Sequence, residues 1–230
     1  FEDSKKRLWL PTSYGVKIFN RKDSSVQSFH FSENGISIPE NAVICIKETP
    51  GKKIMAGTWG AGILIFNEDT RRFEKMSLAE NAAYNSNEAY RNIVFDILSD
   101  GKEMYLATGN GVLVLPLAAV MPGNCNSFTQ YIPGENNSKT ISSNFINAVI
   151  KDRDHTMWIA AKGVDKIDPS KQQFHTQFIP AQQNSLLPVS GIIFSNNKML
   201  LGADDAYFFA GNEPYTVKAT TDTNRFFEFN

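Results

Sequence analysis

Short apolar runs separated by turn residues occupy this chain from end to end. Ala42-Val43-Ile44-Cys45-Ile46 is long enough for one buried strand, and Thr49-Pro50-Gly51 after it is turn chemistry, with Pro fixing φ and Gly free to take φ > 0. Ile54-Met55-Ala56 is a second run, ending in the glycine-rich break Gly57-Thr58-Trp59-Gly60-Ala61-Gly62. Ile63-Leu64-Ile65-Phe66 is a third. The polar turn Asn67-Glu68-Asp69-Thr70 leads to a more polar fourth segment, Phe73 to Met76. The pattern predicts four antiparallel strands joined by three tight reversals, in about forty residues. That is the size of one β-propeller blade.

The pattern repeats. Ile54-Met55-Ala56-Gly57-Thr58 has counterparts in Leu8-Trp9-Leu10-Pro11-Thr12, Met104-Tyr105-Leu106-Ala107-Thr108, Met157-Trp158-Ile159-Ala160-Ala161 and Met199-Leu200-Leu201-Gly202-Ala203. A bulky residue recurs at the second position, with a small residue or Pro two places on. A glycine then opens each third strand, in Gly15-Val16, Gly62-Ile63, Gly111-Val112 and Gly163-Val164, with Ala206 standing in the last copy. The pairs Phe19 and Val26, Phe66 and Phe73, and Ile167 and Phe174 share one spacing across the next turn. The third copy departs from it, running from Leu115 to Phe128 through Pro116 to Pro122, which reads as an insertion between its third and fourth strands.

The expected fold is therefore all-β: a β-propeller of about five four-stranded antiparallel blades, near residues 1–31, 41–76, 92–132, 145–179 and 188–219, with an extra strand in 220–230. Phe1 to Lys6 reads as the end of a first strand and its turn. The tail Arg225-Phe226-Phe227-Glu228-Phe229 either fills that vacancy and closes a small ring or begins a sixth blade. The short last repeat and the abrupt start at Phe1 favour a fragment of a larger propeller.

Composition narrows the function. The net charge is −1 with both signs interspersed, which argues against a nucleic-acid surface. No apolar run approaches the roughly 20 residues that span a bilayer. Cys45, in a first strand, should point into blade packing, so no disulfide with Cys125 of the insertion is expected. His30, His155 and His175 are scattered and lack metal-ligand spacing, so no metal and no cofactor is expected. Asp152 and Asp154 begin a calcium-loop series that stops after two, and are better read as turn formers. Propeller glycosidases need paired carboxylates, and Asp96 is the single acid read inside an inner strand.

Strand alternation says where a ligand would go. The loops between second and third strands emerge at the same end as the inter-blade loops. That end gathers Tyr14, Trp59, Asn110, Lys162 and Asp204 from the short loops, and Tyr84, Tyr90, Arg91 and Asn144 from the inter-blade loops. Exposed aromatics beside amides and charges are what a sugar site requires. Trp59 packing over the neighbouring blade is the competing reading.

Asn147-Ala148-Val149-Ile150-Lys151-Asp152-Arg153-Asp154-His155-Thr156-Met157-Trp158-Ile159, followed by Gly163-Val164-Asp165-Lys166-Ile167-Asp168, resembles the repeat of two-component regulator propellers. That repeat is an apolar strand, an Asp-x-Asp/Gly turn, a Leu-Trp-Ile-Gly-Thr strand, then Gly-Leu and an aromatic. The resemblance covers nearly the whole chain and is specific in the first, second and fourth copies, while the last copy has lost the Thr and the glycine. It implies a non-catalytic, periplasmic sensor portion of an inner-membrane-anchored hybrid two-component receptor, of the kind found in Bacteroides-type bacteria. It further implies an oligosaccharide ligand, a kinase elsewhere in the protein, further sensor domains of the same receptor, and a homodimer of the full-length chain. A propeller carbohydrate hydrolase or lyase and a protein-interaction scaffold stand as alternatives.

Overall fold

The computed structural model describes residues 1–29, 42–78, 90, 92–125, 127–134, 140–154, 156–168, 173–177, 189–195, 198–203, 207–208 and 218–219. The chain forms two compact units, Phe1–Tyr131 and Ile132–Asn230.

In the first unit, β1 (Leu8–Thr12), β2 (Gly15–Phe19) and β3 (Val26–Phe29) form an antiparallel sheet in that order. Residues 1–3 run antiparallel beside β1 through a Glu2–Leu8 bridge. A second sheet contains β4 (Val43–Glu48), β5 (Ile54–Thr58), β6 (Ile63–Asn67) and β7 (Arg72–Leu78). The third begins with β8 (Val94–Ser99), β9 (Glu103–Thr108) and β10 (Gly111–Pro116). The chain then makes a short 3-10 turn at Leu117–Ala119 and a strand, β11 (Gly123–Cys125), before returning with β12 (Thr129–Tyr131) beside β10. The insertion read from the sequence is thus ordered, and β11 pairs in parallel with β7 as a fifth strand of the preceding sheet.

The second unit holds a four-stranded antiparallel sheet, β13 (Ala148–Lys151), β14 (Met157–Ala160), β15 (Val164–Asp168) and β16 (Gln173–Gln177). Buried Asp165 pins the segment before it, accepting from the Ser142 amide at 2.7 Å and hydroxyl at 3.0 Å. Where one four-stranded blade was expected next, the described residues form two separate pairs, β17 (Val189–Ser195) with β18 (Lys198–Ala203) and β19 (Tyr207–Phe208) with β20 (Lys218–Ala219). The tail strand read at 225–229 lies outside the described residues.

The apolar runs are continuous because their strands are buried on both faces. In β5, Ile54 and Ala56 face a core shared with Trp9, Val16 and Ile18 of the first sheet, while Met55 faces the third sheet. In β6, Leu64 and Phe66 join the first core, and Ile63 and Ile65 join the second with Val94, Leu106, Leu113 and Leu115. Val120 and Cys125 of the insertion complete that second core. A Cβ on Gly57 would lie 2.7 Å from the Val94 carbonyl oxygen and 2.6 Å from Cys45 Sγ, so the approach of β8 requires glycine there. Burial pushes the Cys45 thiol up to about 12, and both cysteines are free.

Hydrogen bonds at the strand ends explain the repeat. Oδ1 of Asp3 accepts from the amides of Lys5 and Arg7, and Oδ1 of Asp152 accepts from those of Asp154 and Thr156. The other carboxylate oxygen of each accepts the indole N–H six residues on, Trp9 and Trp158, both at 2.8 Å. Asp100 forms the related turn in the third sheet and accepts from the Tyr105 hydroxyl at 3.3 Å. In the second sheet Thr49 holds the turn, accepting from the Lys53 amide, and Met55 has no donor to offer. At the far end of these strands, the hydroxyls of Thr12, Thr58 and Thr108 donate to the carbonyls of Gly15, Gly62 and Gly111. Those glycines have φ of 104°, 77° and 90°, a region that excludes most side chains. The equally spaced pairs are cross-strand partners: Phe19–Val26, Phe66–Phe73 and Ile167–Phe174.

Trp9 is fully buried against Phe66 and Phe73, whereas Trp158 is half-buried. Trp9→Ala should therefore cost about 3–5 kcal/mol in chemical denaturation, and Trp158→Ala should cost less. Equal losses would count against this difference in burial. Acid should also act through Asp3. Its burial opposes ionisation, but the bonds from the Trp9 indole and from the Arg7 amide and guanidinium outweigh it and hold the carboxyl below its usual range. A carboxyl depressed on folding adds stability above its unfolded pKa of about 4 and loses it as pH falls through the lower folded value. Stability should fall as pH drops below about 4, and Asp3→Asn should flatten that dependence while lowering stability at neutral pH.

Candidate functional site

The loop ends after β1, β5 and β9 carry Tyr14, Trp59 and Asn110. Tyr14 is 78% exposed and Trp59 51%. Asn110 is 3% exposed: its amide donates to Thr108 Oγ1 at 3.0 Å and its carbonyl accepts from Gln130 Nε2 at 2.8 Å. The loop expected to present it is closed down by Thr108, so Asn110 belongs to the interior rather than to the exposed surface. Lys162, in the β14–β15 turn, and Asn144 are exposed on the second unit. Tyr84, Arg91 and Asp204, together with His30 and His155, lie outside the described residues.

Trp59 is fixed rather than merely exposed. Its amide donates to the Ala42 carbonyl at 2.9 Å, and its ring meets Phe95 edge-on, with centroids 5.8 Å apart and planes at 89°. It packs on the neighbouring sheet, as the competing reading expects, and keeps half its surface in solvent. The carbonyl of Asn92 accepts from the Gly62 amide at 2.9 Å, and the Tyr90 carbonyl accepts from the Ile93 amide at 3.2 Å. Gly109 sits so close to Tyr90 that a Cβ there would fall 2.8 Å from the Tyr90 Cβ. These contacts bring the exposed side chains of Tyr90 and Asn92 to the end of β5 and β8 that carries Trp59. Asn92 and Phe95 were not singled out from sequence. Asn92 sits at the close of a polar loop whose course only the backbone bonds reveal, and Phe95 reads as one more apolar strand position.

A fixed indole half in solvent, at the same end as an exposed phenol and amide, can stack a flat apolar surface, and such groups can bond a hydroxyl rim. The inner-strand acid Asp96 is engaged otherwise, paired with Lys47 Nζ at 3.3 Å and accepting from the Ile97 amide. β4 extends further than expected and adds a second acid, Glu48, whose carboxylate accepts from the Ser4 amide and hydroxyl. Among the described residues, no three His, Cys, Asp or Glu side chains are grouped to hold a metal ion.

No family model and no curated protein sequence matches the chain. Solved structures do. The extracellular domain of the putative hybrid two component system BT4673 from B. thetaiotaomicron superposes with a TM-score of 0.64 at 16% identity, over 98% of this chain and 36% of that one. A second structure of that extracellular domain gives 0.63 at 16% identity, over 96% and 35%. The β-propeller domain of Cps50 (Swd1) from Myceliophteria thermophila gives 0.58 at 10% identity, over 95% and 69%. The fold is therefore that of β-propeller blades, and the chain spans about a third of the length of the BT4673 domain.

Trp59→Ala should lower the melting temperature only slightly, because the ring is half in solvent and its edge-on contact is worth about 0.5–1.5 kcal/mol. A loss as large as that of Trp9→Ala in the same denaturation experiment would make Trp59 a core residue.

Proposed function

We propose that this chain is a portion of the extracytoplasmic sensor of a hybrid two-component receptor. In this reading it binds oligosaccharide without turning it over, and a kinase elsewhere in the full-length protein responds. The observation that carries the reading is the likeness of nearly the whole chain to part of the BT4673 extracellular domain. The Trp59 surface supports the ligand class, since an exposed indole at the same end as the exposed Tyr90 and Asn92 suits a sugar ring and its hydroxyls. The other partners are further sensor domains of the same receptor and a second copy of the full-length chain. The location is the periplasmic side of an inner membrane.

Titration calorimetry against a panel of neutral and acidic oligosaccharides tests this. Saturable binding by at least one, without product formation, is the expected result. Trp59→Ala should then weaken it at least tenfold. Product accumulating in the titrated samples would convert the reading to a hydrolase or lyase, and unchanged affinity in the variant would move the ligand away from Trp59.

A further inference from the structure

A cleft of about 420 Å³ lies at the opposite end of β5 and β9 from the Trp59 surface. Its walls are the β4–β5 turn, the β8–β9 turn and the segment that leaves β10, and its lining includes Thr49, Lys53, Lys102, Leu117 and Val120. That volume falls within the roughly 300–1,000 Å³ of small-molecule sites.

The cleft is built by the insertion. The Leu117 amide donates to the Lys102 carbonyl at 2.8 Å, and the Val120 amide to the Leu117 carbonyl at 3.2 Å, so the segment is tied to the β8–β9 turn. Lys53 Nζ donates to the Val120 carbonyl at 2.8 Å, which holds an ammonium at the wall. That bond occupies one of three N–H donors and supplies no countercharge. Lys102 is exposed, and its backbone amide is held by Asp100 Oδ1 at 3.0 Å. Neither lysine takes part in an ion pair among the described residues. The carboxylates nearest in sequence, Asp100 and Glu103, accept from the Tyr105 hydroxyl at 3.3 and 2.7 Å, and neither lines the cleft. Its lining therefore presents two cations, no carboxylate, and the apolar side chains of Leu117 and Ala118; Val120 meets the cleft beside its Lys53-bound carbonyl while its side chain lies in the core.

We propose that this cleft binds a small organic carboxylate with a compact apolar body. The carboxylate sits between Lys53 and Lys102, and the body lies against Leu117 and Ala118. A charge-assisted bond to each ammonium fixes the head group, and burial of the body supplies the remaining affinity. This site is separate from the Trp59 surface and does not depend on the oligosaccharide reading.

The test is calorimetric titration of the 230-residue chain with 3-phenylpropionate and with its neutral analogue 3-phenylpropanamide. Saturable binding of the acid, with the amide at least tenfold weaker, is expected. Lys102→Glu should weaken the acid at least tenfold with an unchanged melting temperature. Ala118→Trp, at an exposed position of the wall, should block both compounds. Trp59→Ala should leave the acid bound as before, so a failure here is distinguishable from a failure of the glycan reading. Absence of saturable acid binding at millimolar concentration, equal binding of acid and amide, or an unaffected Lys102→Glu would each overturn the proposal.

Discussion

A strand buried on both faces cannot use a polar face to set its register, so its alignment has to be fixed from its ends. In this chain the fixing groups are turn residues. The carboxylates of Asp3, Asp100 and Asp152 each close a first turn through backbone amides, and each also accepts from the aromatic side chain of the following strand. The hydroxyls of Thr12, Thr58 and Thr108 close the opposite ends. One indole or phenol is thereby placed in apolar surroundings with its polar atom satisfied, which removes the penalty of an orphaned donor. The second sheet lacks this device at Met55, and there an apolar side chain is fully buried against the third sheet.

The same constraint sets the two ends of the sheets apart. One end is occupied by turns drawn tight by carboxylates and by ion pairs such as Arg7 with Asp3 and Glu68. Here the insertion after β10 leaves the β8–β10 sheet, lays β11 along β7 and sends Val120 and Cys125 into the core. It covers an outer strand that would otherwise present unpaired backbone groups, and its underside forms the wall of the Lys53–Lys102 cleft. At the other end, Trp59 and Tyr90 keep much of their surface in solvent. Recognition chemistry fits loops carried on a rigid scaffold. Trp59 sits on such a loop: its backbone and one ring edge are immobilised by Ala42 and Phe95, and half of its surface stays in solvent.

The strand positions and their repetition were legible in the sequence because they depend on local rules. An apolar run of five residues, a Pro-Gly or Asp-containing reversal and a glycine opening the next strand specify a hairpin wherever they occur. The spacing of Phe66 and Phe73 marks a cross-strand pair for the same reason. The role of Asp152 in its turn was also readable, though its bond to Trp158 was not. The destination of β11 could not be read, since a three-residue segment gains its partner from a strand more than forty residues earlier, and nothing local names that partner. Asn110 shows the same limit. Its place in a loop after a second strand is a sequence property, but whether it faces solvent is decided by Thr108 and Gln130 closing over it. The sequence by itself determined most of the strands through the fourth repeat, where they reverse and which positions repeat; it did not mark β11 as a strand or the last repeat as two separate pairs. Tertiary structure alone decided that Gly57 must be small because Val94 passes over it, that Asn92 is tied to Gly62 at the end that carries Trp59, and that the insertion builds a cleft. Each of those depends on distances between residues far apart in the chain, which periodicity and turn chemistry do not encode.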